Sequence, residues 1–244
     1  ENLTPNNIEK IFYFKKNTKK YFYKKSFFFL NTASQYISNP CWDSKKESLL
    51  WLFNLNYFDY INSEYSFRNQ SLSLINNWIN KSKSFSNKAP PLHPYTTSLR
   101  IVNWIKWLVN NKVNYVKINS SISSQALFLS KKKEYHLMGN HLLANLKALI
   151  FVGVYFENGI CNEKLQNNLN EYFREISKQI LQDGGHIEQS PMYHYIILFD
   201  IIDLYNLNLN LPFLNIELKI KLKKIISKMY FFYENVCHPD DYIS

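Results

Sequence analysis

The chain alternates between two kinds of helical segment, and this alternation limits its possible folds more than any other feature. One kind is apolar on almost every side, so most of its surface must be buried. The other kind is amphipathic or charged and keeps one face in water. The apolar segments lie at residues 48–63, 98–111, 139–156 and 191–207, and the amphipathic ones lie at 68–82, 114–135, 162–182 and 215–236. The alternation predicts two concentric layers, with the apolar helices in the inner ring.

The glycine content and the lack of a repeat narrow the fold class further. Only 5 glycines occur in 244 residues, which is too few for the many positive-φ positions of a β-sandwich or barrel. No segment has a convincing strand pattern. No repeat of fixed period is present, which counts against an ordinary helical solenoid. We therefore predict an all-α fold of the (α/α) toroid type.

The positive charge limits the possible partners. The net charge is +10, and a basic surface attracts polyanions such as nucleic acid, anionic membranes or acidic polysaccharides. The lysine runs at 15–25 and 131–133 are short, so we interpret them as solvated faces and expect no nucleic-acid partner. No apolar run approaches the ~20 residues that a membrane span requires. We therefore expect no membrane span.

The two ends of the chain differ from its helical middle. Residues 1–45 are basic and aromatic with weak periodicity, and we expect an arm along the surface. Residues 46–238 form the predicted helical domain, and residues 239–244 begin a linker. The apolar part of residues 24–34 is too short for a signal peptide. The default expectation is a cytoplasmic chain or one whose true start is missing.

Two polar residues open one of the apolar helices. Asn140 and His141 stand at the start of the segment 139–156. Polar side chains on a buried helix are unfavourable unless they face a cleft, and helix N-termini attract anions. The alternative interpretation is that Asn140 caps the helix and His141 is a hydrogen-bonded neighbour.

A second polar cluster precedes the apolar helix 191–207, in the stretch DGGHIEQSPMYH. Serine is a good N-cap and proline suits the first helical position, so Ser190 and Pro191 predict a helix start. The polar residues that this start brings to the mouth of the helix are Glu188, Gln189, Tyr193 and His194. Inner helices of a toroid commonly run in one direction, so both polar helix starts could meet at one mouth. The alternative is a polar turn after a glycine C-cap.

Tyr95 and Arg100 lie near the start of a third apolar helix. A guanidinium group binds carboxylates through two parallel hydrogen bonds, so Arg100 suits a carboxylate clamp. An internal ion pair with Asp59 or Glu64 is the structural alternative. Thr97 or Ser98 is the predicted cap of this helix.

Three of these segments resemble a known family. The motifs HPYTTSLRIVNWIKWL (93–108), GNHLLANLKAL (139–149) and DGGHIEQSPMYH (183–194) are similar, in this order, to the N-terminal helical domain of heparinase II/III-like polysaccharide lyases. This family includes heparan-sulfate and alginate lyases, and the resemblance runs from about Trp51 to the end. It implies an incomplete (α/α) toroid, which in the family precedes a β-sandwich domain; we expect the residues of this sequence to lack that domain. Residues 239–244 would then begin the linker to that domain.

The resemblance also implies roles for individual residues. Asn140 and His141 match the positions that bind and neutralise the substrate carboxylate, and Tyr193 matches the catalytic tyrosine. The implied substrate-binding residues are Arg100, Tyr95, Glu188, Gln189 and His194. Removal of the C5 proton of a uronate builds charge on the carboxylate, which hydrogen-bond donors stabilise. A tyrosine base requires positive surroundings, which the basic chain is expected to supply.

The resemblance implies an acidic polysaccharide as partner, cleaved by β-elimination, and we expect no cofactor in this chain. In some members of the family the β-domain binds a metal. Two other functions stay open. A glycoside hydrolase requires two carboxyl groups across a cleft, and Asp183 and Glu188 are the nearest pair. A non-catalytic carbohydrate-binding or scaffold domain is the other. A metal site is disfavoured because the histidines lack HxxxH spacing and the 3 cysteines form no CxxC.

Overall fold

Helices dominate the computed structural model, which describes residues 4–6, 22–23, 26–36, 39–137 and 139–236. The described helices are α1 (Leu49–Tyr57), α2 (Arg68–Ser82), α3 (Pro94–Asn110), α4 (Val116–Lys131), α5 (Asn140–Tyr155), α6 (Ile160–Glu163), α7 (Leu165–Gln179), α8 (Pro191–Asn210) and α9 (Ile216–Val236). The described strands are β1 (Phe22–Tyr23), β2 (Ser26–Phe29) and β3 (Thr32–Gln35). None of the described helices is both long and apolar enough to cross a bilayer.

The predicted two-layer arrangement is confirmed. The inner helices α1, α3, α5 and α8 contact one another in that order. Helices α3, α5 and α8 pack against the amphipathic helices α4, α7 and α9 further out, and α1 is joined to α2 by the hydrogen bond from Trp78 to Asn56. Helix α5 is the most enclosed, since α3, α4, α7 and α8 surround it and nearly all its residues are buried. The fold is an incomplete (α/α) toroid, as the alternation of apolar and amphipathic segments predicts.

The inner helices run in the same direction, which brings their N-terminal ends together. The Tyr95 ring at the start of α3 lies 4.6 Å from the His141 ring at the start of α5, measured between centroids. One turn further along, the Asn145 amide of α5 donates to Ser98 Oγ of α3 at 3.0 Å. Deeper still, Lys147 of α5 pairs with Asp200 of α8. The N-terminal ends of α3, α5 and α8 therefore form one mouth of the ring.

Buried ion pairs join these three helices at the centre. The Lys147 ammonium group contacts the carboxylates of Asp200 and Asp203, and Lys106 also contacts Asp203. Removing one partner from such a group leaves an uncompensated buried charge, so each residue depends on the others. The pairs hold α3, α5 and α8 in a fixed relative position beneath the mouth.

Several helix boundaries differ from the predicted ones. Helix α3 begins at Pro94 with His93 as N-cap, one turn before the predicted start, because proline suits the first helical position. The predicted cap at Thr97 or Ser98 is therefore wrong, and both side chains are buried inside the helix. Helix α1 ends early, because Phe58 takes a left-handed φ of 62°.

Part of the predicted N-terminal arm is a three-stranded antiparallel sheet, so the expectation of no strand is wrong here. Phe27 and Phe29 alternate with exposed residues on β2 and are buried. The Phe29 ring packs edge-on against Trp51 of α1 at 5.1 Å. Positive φ at Leu30 and Asn31 closes the β2–β3 turn. The predicted linker at 239–244 and residues 1–3, 7–21, 24–25 and 37–38 of the predicted arm lie outside the described residues.

Candidate functional site

A buried carboxylate organises the start of α5. Glu134 precedes this helix and is 2% exposed, and its Oε1 lies 3.2 Å from His141 Nδ1 and 3.6 Å from His93 Nδ1. Its Oε2 accepts a 3.0 Å hydrogen bond from the Asn145 amide. Burial alone would raise the pKa of Glu134, but hydrogen bonds from His141 and Asn145 and the nearby histidines lower it below its usual value. Glu134 is therefore ionised at neutral pH.

Aromatic side chains line the wall beside the two histidines. The Tyr95 ring packs against His141, the Tyr57 ring meets Tyr95 edge-on at 6.0 Å, and the Phe53 ring lies 5.4 Å from His93. The hydroxyl of Tyr193 lies close enough to influence the ionisation of both Tyr57 and Tyr95. Residues from α1, α3, α5 and α8 thus converge at the mouth.

The tyrosines of this wall hold their protons at neutral pH. Burial, together with the charges of Tyr193 and Glu134, raises the pKa of Tyr57 to about 12. Burial also raises the pKa of Tyr95, with Asp200 the next cause. The nearby charges that raise these two pKa values come from carboxylates and neighbouring phenols. The positive field is predicted for Tyr193 and stays a prediction there.

A ring of hydrogen bonds ties the loop before α8 to the start of α5. Glu188 Oε1 accepts from the Asn140 backbone N–H at 3.0 Å, and the Glu188 N–H donates to His186 Nδ1 at 3.3 Å. His186 Nε2 lies 3.1 Å from Gln179 Oε1, and the Gln179 amide donates to the Gly139 carbonyl at 3.0 Å. The ring fixes the two motifs against each other, and Glu188 caps α5.

Gly139 is required at this junction. Its φ is +60°, and a Cβ at this position would lie 2.2 Å from Glu188 Oε1. Only glycine adopts this backbone conformation without strain while leaving space for the carboxylate. The glycine of the GNH motif therefore serves the capping contact.

The start of α8 turns two adjacent residues in different directions. Ser190 Oγ accepts the Tyr193 N–H at 3.4 Å, which confirms the predicted N-cap. Tyr193 is half-buried at the mouth. His194, in contrast, is buried against α9, where its Nε2 lies 2.9 Å from the Met229 carbonyl and its ring contacts Phe232. The predicted substrate-binding role of His194 is therefore corrected, because the side chain points away from the mouth.

Arg100 also requires a correction. Its guanidinium is buried and donates to Gln125 Oε1 at 2.7 Å, to Thr97 Oγ1 and to the Asn56 carbonyl. The group also lies 4.0 Å above the Trp78 ring. The hydrogen bonds go to neutral acceptors and not to the carboxylates of the alternative ion pair. Arg100 therefore joins α1, α3 and α4 in the core and cannot meet a substrate in this conformation.

The remaining predicted residues have mixed placements. Asn140 is buried at the α5 start, and Gln189 is exposed with a φ of 53° in the turn before Ser190. Asp183 accepts the Gly185 N–H at 2.9 Å and shapes its own turn, so the hydrolase pair finds no support. Among the described residues, no group of three or more histidine, cysteine and acidic residues could hold a metal ion.

Sequence reasoning missed Glu134, His93 and Tyr57 as members of the site. Glu134 follows three lysines and looks like part of a solvated charge run. His93 opens the HPYTT motif, which is the one available signal for it. Tyr57 ends α1 without any motif, so only the packing of α1 against α3 reveals it.

Comparison with known proteins identifies the family. The model of the family described as "Heparinase II/III N-terminus" matches residues 12–244. The chain belongs to this family. A heparin-sulfate lyase of Bacteroides stercoris is 31% identical over 113 residues, which cover 43% of this chain and 16% of that protein.

Solved heparinase structures share the fold. Heparan sulfate lyase HepC from Pedobacter heparinus matches 87% of this chain and 36% of its own with a TM-score of 0.55 and 16% identity. A heparinase III structure with methylated lysines matches 89% of this chain and 40% of its own with a TM-score of 0.59 and 16% identity. The chain thus spans well under half the length of these relatives, and the likeness supports the heparinase-type helical domain.

Proposed function

We propose that this heparinase II/III domain takes part in β-elimination of a uronate-containing acidic glycan. The observation that carries the proposal is the convergence of Tyr95, His141 and Tyr193 at one mouth of the toroid. The curated relative is a heparin-sulfate lyase, which supports a glycan of the same chemical class. The reaction removes the C5 proton, forms the C4–C5 double bond and breaks the bond to the C4 oxygen.

In this proposal the start of α5 receives the uronate carboxylate. The side chains of Asn140 and His141 lie where the helix N-terminus favours negative charge. A donor that strengthens its hydrogen bond as the carboxylate gains charge lowers the barrier, with typical single-donor effects of about 3 kcal/mol. Neutral Tyr57 and Tyr95 supply further phenolic groups beside the sugar.

Tyr193 is the proposed proton-transfer residue. It lies on the first turn of α8 at the same mouth, with its backbone fixed by Ser190. A tyrosine that takes the C5 proton and returns a proton to the C4 oxygen balances the elimination without a cofactor. The substrate-binding residues retained in the proposal are Tyr95, Glu188 and Gln189; Glu188 acts mainly through its cap on Asn140.

The test is formation of unsaturated uronate, followed by its ultraviolet absorbance, from heparan sulfate, unsulfated heparosan and alginate. Tyr193→Phe should lower the rate about 100-fold or more, as loss of a proton-transfer group does. Tyr195→Phe is the matched control, because Tyr195 is an exposed tyrosine on the same helix.

The alternatives predict different results. New reducing ends without ultraviolet absorbance would indicate a hydrolase. Glycan binding that is unchanged in Tyr193→Phe, with no product from any glycan, would indicate a binding domain. Either result would overturn the lyase proposal.

A further inference from the structure

We propose that Glu134 is the positioning residue of this cleft: its carboxylate holds the Nδ1 proton of His141 and leaves Nε2 as the ring nitrogen that meets a carboxylate-bearing sugar. The inference rests on the proposed function, since it specifies how the His141 side of that site is prepared. Glu134 acts through His141 and does not touch the substrate, because it is 2% exposed whereas the His141 side chain is 32% exposed.

The tautomer follows from hydrogen-bond chemistry. An ionised carboxylate has no proton to donate, so its 3.2 Å contact with His141 requires the hydrogen on Nδ1. The lowered pKa of Glu134 supports the ionised form. With Nδ1 occupied, Nε2 is the nitrogen that remains available. It accepts a proton when the ring is neutral, and it donates to an anion when the ring is charged.

The carboxylate is itself held from the opposite side. Asn145 donates to Glu134 Oε2 at 3.0 Å, and its own Oδ1 accepts the Glu134 backbone N–H at 2.8 Å. The same amide donates to Ser98 Oγ on α3. Glu134 is therefore fixed by α5 and α3 together, and its Oε1 has a constant direction toward His141. A fixed acceptor of this kind is what orientation of an imidazole requires.

Other groups face the same ring and could also influence it. His93 Nδ1 is 3.6 Å from the same Glu134 oxygen and its side chain is 46% exposed, so it is a second imidazole at the cleft. The Tyr95 ring covers one face of His141. Tyr57 from α1, Tyr193 from α8 and Glu188, whose carboxylate caps α5, are further titratable side chains at this mouth. Among these groups, Glu134 is the one within hydrogen-bond distance of the His141 ring.

The first experiment reads the tautomer by nitrogen NMR of the histidine side chains, without glycan or turnover. Wild type should show His141 mainly as the Nδ1–H form. Glu134→Gln should populate the Nε2–H form in part, because a neutral amide is a weaker acceptor than a carboxylate. Glu134→Ala should populate it further. Glu171→Gln is the control, since it removes a carboxylate that pairs with Lys133 and not with a histidine.

The result that overturns the inference is a His141 spectrum that is the same in wild type and both Glu134 variants, or a wild-type ring in the Nε2–H form. A purely structural role for Glu134 would lower stability without moving this equilibrium. If Glu134→Ala fails to fold, Glu134→Gln decides alone, because it preserves the shape of the side chain.

The second experiment measures binding of an unsulfated glucuronate–N-acetylglucosamine tetrasaccharide. Loss of the oriented imidazole should raise the Kd about tenfold in Glu134→Ala, with a smaller rise in Glu134→Gln and none in Glu171→Gln. If wild type does not bind the tetrasaccharide, or if all four proteins have equal Kd values, the claim that His141 Nε2 meets a carboxylate-bearing sugar is overturned. Failure of the lyase proposal is distinguishable from failure of this inference. In that case no unsaturated product forms, but the His141 tautomer and the Kd still change in the Glu134 variants as predicted.

Discussion

The starts of α5 and α8 look alike in the sequence but use their polar residues differently. Each is a nearly apolar helix opened by a histidine and other polar side chains. At α5, His141 is half-exposed at the mouth and is held there by Glu134. At α8, His186 and His194 are buried, and both bond to protein groups. One start forms the cleft, and the other mainly supports it.

The difference arises from helical register and from partners distant in the sequence. Successive residues of a helix point about 100° apart, so Tyr193 reaches the mouth while His194 reaches Met229 on α9. His186 is engaged by Gln179 and by the Glu188 N–H, which links the α8 loop to α5. A polar motif therefore marks a functional region, while the partners decide which of its members face the substrate.

The largest expected effect on stability concerns Gly139, where the start of α5 meets the loop before α8. Gly139→Ala should lower the free energy of unfolding by about 2–4 kcal/mol, from a strained backbone and from displacement of the Glu188 cap. Chemical denaturation measures this loss. Gly159→Ala is the control, since Gly159 also has positive φ but does not meet Glu188. Equal losses in both variants would argue against a special role for the junction.

His194→Leu tests the structural side of the comparison. It removes the imidazole hydrogen bond to the Met229 carbonyl, which keeps its bond within α9, and should cost about 0.5–1.5 kcal/mol of stability. Binding of the glucuronate tetrasaccharide per folded molecule should stay within about twofold of wild type. A large loss of affinity with unchanged stability would instead place His194 in the site.

The pH dependence of folding should depend on the same buried histidines. Burial lowers the pKa of His186 and of His194. A histidine of the unfolded chain has a pKa of about 6.5 and therefore binds more protons near that pH than the buried one. The free energy of unfolding that these histidines support is present above that pH and is lost as the pH falls through it. Urea unfolding between about pH 8 and pH 5 should show a smaller loss for His194→Leu than for wild type. Parallel curves would contradict this origin.

The smallest expected effect is that of Glu188→Gln. The amide oxygen still accepts the Asn140 N–H, while the negative charge at the α5 N-terminus is lost. The expected cost is about 0.3–1 kcal/mol, which is typical of a charge at a helix end. Thermal unfolding at low salt measures it, and high salt should reduce it. A loss above about 2 kcal/mol would show that the charge itself holds the junction together.

The sequence predicts the layered fold and the segments of the site better than the roles of individual residues. Period and apolarity identify the inner helices, and Ser190–Pro191 correctly mark the start of α8. Arg100 has the chemistry of a substrate ligand but lies in the core, because it bonds to Gln125 of α4 and to the Asn56 carbonyl of α1. No local sequence pattern reveals these contacts. The burial of Phe27 and Phe29 is not predicted from the sequence, because β2 has only four residues and shows too little alternation to indicate a strand.

The most direct test of the account follows all described histidines in one titration with the glucuronate tetrasaccharide. Nitrogen NMR reports each imidazole separately. The account predicts that His141 and His93 change with glycan concentration, while His186 and His194 stay constant because protein groups occupy them. Changes confined to His186 and His194, with a constant His141, would contradict the assignment of the cleft to the start of α5.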